Sequence, residues 1–270
     1  MCPVLTLASY LAENARPVYE RIAAHVGRVV GDGAELVSGV GWEERLRMLD
    51  AGRVHVGFIC GWPYSERFDR PERPIELLCA PVMAAPRYQG RPVYFTDVIV
   101  RASSRFTSFA DLRGASYAYN GVESHSGYNV PRDHLLALRE TAGFFGRTVA
   151  SGSHQASIAL VAEGSVDASG IDSTVLELEL AQRPVLAGAF RVVEAIGPGP
   201  IPPVVVARGL PDDLKRWLRA VFLTMHEDPD GRAILGDGLL ARFVSVENAD
   251  YDPIRALVSR ARAARFLTLG

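Results

Sequence analysis

The sequence predicts an α/β protein built as two lobes. Strands and helices alternate through the first third, the strands are apolar enough to be buried, and 270 residues outgrow one small core. Val4 to Ser9 is a short apolar run ended by a polar loop. Val18, Ile22, Val26 and Val29 then recur at helical spacing, and Gly31-Asp32-Gly33 stops that helix in a turn. Glu35 to Ser38 reads as a strand, Trp42 to Leu49 as a helix stopped by Gly52, and Val54 to Ile59 as a buried strand. Strands separated by helices imply parallel pairing, with crossover helices covering a mainly parallel sheet in each lobe.

The middle of the chain repeats the pattern. Val93 to Val100 is a strand with Asp97 set unusually inside it, and Ala115 to Tyr119 is another. A loop from Asn120 to Asn129 precedes a helix from Pro131 to about Thr141, where the proline suits the first turn. A short helix (Ser157 to Glu163), a strand (Ala168 to Ile171) and a helix from Ser173 to Leu180 follow. Gly197-Pro198-Gly199-Pro200-Ile201-Pro202-Pro203 excludes regular helix and central strand. After a strand from Val204 to Ala207, Pro211 opens a helix whose Leu214, Trp217, Leu218, Val221, Phe222 and Met225 form a core stripe.

Composition narrows the function classes. A net charge of −2, with no Lys/Arg run longer than two, argues against a nucleic-acid surface and a polybasic membrane patch. No apolar run reaches membrane-spanning length, and no signal-peptide pattern is visible. Cys60 and Cys79 lie in apolar surroundings and read as buried small side chains. A lipid-anchored protein carries its lipid on a mature N-terminal cysteine, but a tether normally leaves a linker, and after Cys2 a strand begins at Val4. No metal-ligand spacing and no cofactor motif stands out, so neither group is expected.

Candidate ligand contacts gather in loops. Ser124 and Ser126 lie just before a helix start, where free N–H groups and the helix dipole favour an anion; Ser126 as a plain helix cap is the competing reading. His125 between them and Tyr128 after them share that loop. His154 sits between a Gly-Ser turn and a helix start, and Asp172 follows a strand end, so each is either a ligand contact or a cap. Tyr10, Trp42, Trp62, Tyr64 and Tyr94 are aromatics at loop tips, suited to walling a cleft, with packing as the default for each.

Three stretches together resemble the phosphonate/phosphite-binding family of ABC importers: Glu123-Ser124-His125-Ser126-Gly127-Tyr128-Asn129-Val130-Pro131, Ser151-Gly152-Ser153-His154-Gln155-Ala156, and Val166-Asp167-Ala168-Ser169-Gly170-Ile171-Asp172-Ser173. His226 to Gly231 and Asp250 to Pro253 also fit. The sequence departs from the family at His125, where threonine is usual, which leaves ligand identity open. The resemblance implies the type II periplasmic binding fold, with two hinge crossings near Tyr94–Arg101 and Pro200–Ala207. Residues 1–96 and 206–270 would form lobe 1, and residues 97–205 lobe 2. It implies a receptor that closes on a small anion in the interlobe cleft, with ABC membrane subunits as partners, an extracytoplasmic location and, by default, a monomer. The missing leader pattern fits the cytoplasm as well.

Enzyme readings fare worse. Gly39-Val40-Gly41-Trp42-Glu43-Glu44 has half a dinucleotide fingerprint, with Glu44 where glycine is needed. Neither Ser124 nor Ser126 has the flanking glycines of a nucleophile elbow. A cytoplasmic enzyme of cofactor biosynthesis, or a ligand sensor on the same fold, is the alternative, by fold analogy alone.

Overall fold

The structure, a computed structural model, describes residues 4–31 and 33–269; Cys2 and Asp32 lie outside them. The chain runs β1 (Leu5–Ser9), α1 (Arg16–Val30), β2 (Ala34–Leu36), α2 (Trp42–Asp50), β3 (Val56–Phe58), α3 (Gly61–Phe68), β4 (Ile75–Met83) and β5 (Val93–Arg101). It continues through β6 (Ser116–Tyr119), α4 (Val130–Ala137), β7 (Arg147–Ala150), α5 (His154–Glu163), β8 (Ala168–Asp172), α6 (Ser173–Gln182) and β9 (Phe190–Pro200). The last elements are β10 (Val204–Ala207), α7 (Asp212–Thr224), α8 (Pro229–Asp237), β11 (Leu240–Val244) and α9 (Asp252–Ala263). No helix among the described residues is long and apolar enough to cross a membrane.

Two compact units result. One comprises Met1–Val93 and Pro200–Tyr251, the other Tyr94–Gly199 and Asp252–Gly270. The sheet of the first unit has the order β11-β4-β10-β3-β1-β2. Its central strands β3 and β10 are buried at every position, as strands covered on both faces must be. Val18, Ile22, Val26 and Val30 of α1, with Leu218 and Phe222 of α7, pack into that core. Val29, expected on the buried stripe of α1, is 44% exposed, and the face runs through Val30 instead. Trp217 on α7 is likewise 44% exposed, so the stripe read as core loses its largest member to solvent.

The second unit has the order β7-β6-β8-β5-β9. The Gly-Pro-Gly-Pro stretch lies at the end of β9, on the sheet edge, where prolines remove no ladder hydrogen bond that a neighbour needs. Both sheets are mixed where mainly parallel pairing was expected: β10 runs antiparallel to β3 and β4, and β5 antiparallel to β8. Those strands sit beside non-consecutive neighbours after long excursions of the chain, so the short right-handed crossover that enforces parallel pairing does not bind them.

The C-terminal segment differs from the sequence expectation, which kept residues 206–270 in one lobe. From Asp252 onward the chain belongs to the second unit, so there is a third passage between units besides the two expected. Phe266 and Leu269 are buried in that unit's core with Phe109, Phe144 and Phe145. The Leu267 carbonyl accepts from the Tyr128 hydroxyl at 3.2 Å and from the Arg132 guanidinium at 2.8 Å, while Arg260 grips Asp133 through two hydrogen bonds of 2.8 and 2.7 Å. An amphipathic helix announces that it will pack, but its pattern does not name the surface it packs on. Phe266→Ala should cost about 3 kcal/mol in chemical denaturation, the range for emptying a buried phenylalanine site. A loss under about 1 kcal/mol would mean the C-terminal segment is not part of the unit's core.

Candidate functional site

β6, β7 and β8 are parallel, with Tyr119 opposite Ala150 and Ala118 opposite Ser169, so their carboxyl ends share one edge of the sheet. Each strand leads to a helix start at that edge, the usual place for ligands in α/β sheets. After β6 the chain enters a wide helical turn, His125–Asn129, that runs on into α4. α5 starts at His154 after β7, and α6 at Ser173 directly after β8.

Each start is capped by a side chain. Ser124 Oγ accepts from the Gly127 N–H at 3.0 Å, and Ser153 Oγ from the Ala156 N–H at 3.0 Å. Asp172 Oδ1 accepts from the Thr174 N–H at 2.8 Å and the Thr174 hydroxyl at 2.7 Å. Ser124, rather than Ser126, is therefore the cap of the first helix. The cap uses only the acceptor capacity of Ser124, whose O–H remains a donor.

Ser126 does something else. It is 2% exposed, and its Oγ lies 3.1 Å from His154 Nε2. Gly127 allows this packing: a Cβ there would fall 2.0 Å from Asn120 Oδ1 and 3.3 Å from His154 Cε1. Thr96 on β5 holds the turn from below, its hydroxyl donating to the Ser126 carbonyl at 3.1 Å. His125 is 3% exposed, with the Tyr94 ring 6.4 Å away, centroid to centroid. Among the described residues, His125 Nδ1, His154 Nδ1 and Asn120 Oδ1 are buried without a hydrogen-bond partner. Buried polar atoms normally find partners, and these three lie around one turn.

Burial sets the charges. It pushes both imidazoles down to about 4, from 6.5, so they are neutral at physiological pH. It pushes the Asp172 carboxyl up to about 6, against the Thr174 hydrogen bonds that favour its ionised form and with help from nearby Asp97. Asp97, singled out as unusual within its strand, is 1% exposed and pairs with Ile171 across the ladder. The arrangement offers hydroxyls and neutral imidazoles beside a helix start, with a carboxylate at the adjacent start.

The other sequence candidates divide. Tyr128 is core: its ring packs with Tyr119 and its hydroxyl is committed to Leu267. Tyr64 is core in the first unit, inside α3 rather than at a loop tip, with its hydroxyl donating to Asn248 Oδ1 at 3.0 Å and its ring against Tyr251. Tyr10 lies at the end of β1, 5% exposed, its hydroxyl donating to the Arg45 carbonyl at 2.7 Å, and burial raises its pKa. Trp42 opens α2 and Trp62 the first turn of α3, both half-buried. Cys79 is fully buried as read, whereas Cys60 is half-buried before α3. Thr96 and Asn120 were not anticipated. Asn120 was legible as the first residue after a strand, but nothing in the sequence separates it from its neighbours.

The buried imidazoles make a pH prediction. An unfolded chain protonates them near 6.5 and the folded one near 4, so the stability of the neutral form is present above 6.5 and lost as pH falls toward 4. Asp172 works oppositely, since its raised value favours the folded state as pH falls from about 6. His154→Gln should therefore lose less stability than wild type over the same acid range, by up to about 3 kcal/mol. Parallel stability curves for the two proteins would show that His154 is not held neutral by the fold.

Comparisons with known proteins agree with this architecture. The chain matches the family described as "ABC transporter, phosphonate, periplasmic substrate-binding protein" over residues 5–251. A binding protein component of an ABC phosphonate transporter from Pseudomonas aeruginosa is 20% identical, with a TM-score of 0.84 over 96% of this chain and 87% of that one. PhnD1 from Prochlorococcus marinus, solved in complex with methylphosphonate, is 15% identical, with a TM-score of 0.83 over 96% and 98%. A Xanthomonas citri protein solved bound to chloride ion is 21% identical, with a TM-score of 0.73 over 97% and 99%. At these identities the structural likeness speaks to the fold, the type II periplasmic binding fold. The match over residues 5–251 speaks to descent: this chain belongs to the substrate-binding proteins of phosphonate ABC transporters, a family of binding proteins rather than enzymes.

Proposed function

We propose that the chain captures a small oxyanion, of the phosphonate or phosphite kind, at the helix starts of the second unit and delivers it to an ABC importer. The observation that carries this reading is the buried Ser126–His154 pair beside the capped start of the 125–129 turn, with unpartnered polar atoms around it. Helix N-terminal amides and two hydroxyls can surround oxyanion oxygens without a formal positive charge. The methylphosphonate complex of PhnD1 supports the ligand class.

A thermal-shift series with phosphate, phosphite, methylphosphonate, aminoalkylphosphonates, sulfonates and small carboxylates is the first test, because binding to the native state alone raises apparent stability. A selective shift with a phosphonate or phosphite is expected; a shift with carboxylates alone would overturn the ligand class. Ser126→Ala should weaken oxyanion affinity about tenfold and cost about 1 kcal/mol of stability, because buried His154 Nε2 loses its partner. Ser124→Ala should weaken it similarly and also cost about 1 kcal/mol of stability through the lost cap. Unchanged affinity in both variants removes the anion assignment.

Asp172 is proposed to meet an amine or hydroxyl on the far side of the ligand. Asp172→Asn keeps a capping oxygen for α6 while removing the charge. It should weaken an aminoalkylphosphonate about tenfold relative to methylphosphonate, the scale of one charged hydrogen bond. Equal losses for both ligands would make Asp172 a structural group.

A further inference from the structure

The strands, the turn and the helix that carry Ser126 and His154 bring no formal positive charge of their own, and the buried cation beside them is Arg132 of α4, whose guanidinium donates to Asn129 Oδ1 at 2.6 Å and to the Leu267 carbonyl at 2.8 Å. None of α5, β6, β8 or the 125–129 turn carries an arginine or lysine. The titratable groups those elements contribute are Asp172, Tyr117, Tyr119, His125, Tyr128 and Glu163, with Asp97 of β5 acting on Asp172; α4, packed on the turn, adds Arg132, Asp133 and His134, and α9 adds Asp252, Arg255, Arg260 and Arg262. The charge acting on His125 is that of Asp133, itself held by Arg260. An oxyanion on Ser126 loses its hydration while the buried cation beside the turn, Arg132, is already engaged with Asn129 and the Leu267 carbonyl, which is expensive.

The geometry supplies a way to create one. His154 is 7% exposed, its Nε2 is 3.1 Å from Ser126 Oγ, and its Cε1 lies near Gly127, so the nitrogen edge of the ring faces the turn. Ser126 has one proton. When the hydroxyl donates it in a hydrogen bond to an anion, its oxygen accepts from His154 Nε2–H, and that fixes the tautomer. Nδ1 is then a bare lone pair, and it is the buried atom that lacks a partner among the described residues.

We propose that docking of an oxyanion on Ser126 draws one proton from solvent onto His154 Nδ1, so that capture is proton-coupled and the imidazolium is the ligand's countercharge. This rests on the anion-site reading above. The balance is simple: one N–H bond forms at Nδ1, the Ser126 O–H stays intact, and the complex gains one positive charge as it gains the anion. In the free protein burial keeps His154 neutral, so the proton arrives with the ligand and leaves with it. Affinity therefore rises as pH falls through the neutral range, because the complex binds one more proton than the free components.

The experiment is long-range proton–nitrogen NMR of the histidine side chains in the full chain near neutral pH, with and without saturating methylphosphonate, alongside affinity measured across the neutral range. The expected result is a His154 ring neutral when free and doubly protonated in the complex. Affinity should weaken by up to about tenfold per pH unit on the alkaline side, and His154→Gln should flatten that profile. A saturated complex in which His154 stays neutral overturns the proposal, even where affinity varies with pH, since the proton then belongs to the ligand. Failure of methylphosphonate, phosphite and phosphate alike to bind overturns the anion-site reading, and this inference with it.

Discussion

Parallel register in one short stretch of sheet governs the candidate site. Because β6, β7 and β8 point the same way, the chain must leave each at the same edge and turn back as a helix or loop. Three helix starts thus arrive side by side, each with amides that lack partners within the helix. Ser124, Ser153 and Asp172 answer part of that demand as caps. The remainder, with the buried imidazoles of His125 and His154, is the hydrogen-bonding capacity left at this edge. Pack Gly127 any less closely against Asn120 and His154 and the turn would stand off from the pair it now touches.

The electrostatics follow from the same crowding. Strand ends that are buried at every position, as in β8, put neighbouring polar groups into low dielectric whether or not they are charged. Neutral forms win for both imidazoles, and Asp172 is pushed toward neutrality despite hydrogen bonds from Thr174 and Val175 that favour its anion. A site of this kind is specific because its unmet hydrogen-bonding groups are costly to bury with the wrong partner.

Much of this was legible in the chain. Val54 to Ile59 read as a buried strand because it is apolar but for His55, Val204 to Ala207 read as a strand, and both are central in their sheet. The motif around His154 and the carboxylate after Val166-Asp167-Ala168 fell at helix starts, as Gly-Ser and Asp-Ser signals suggest. Other features turned on geometry that periodicity does not encode. A wide turn that closes from Asn129 N–H to the Ser124 carbonyl shifts the cap to Ser124 and releases Ser126 toward His154. α3 hid behind Gly61-Trp62-Pro63, a loop-like string whose proline falls harmlessly in the first helical turn, and so Tyr64 looked like a tip when it was core. β4 escaped notice because Pro81 interrupts its apolar run, and β9 because Arg191 and Glu194 break up its apolar residues.

The C-terminal segment has a consequence for biogenesis. Phe266 and Leu269 complete the core of the second unit, and Leu267 receives Tyr128 and Arg132, yet every residue of the first unit precedes them in the chain. On a ribosome, which releases sequence in order, the second unit must wait as an unfinished core while the first unit's closing strands and helices emerge. Its folding therefore comes after the first unit has been made, and its exposed phenylalanines are what a nascent-chain chaperone would meet in the interval.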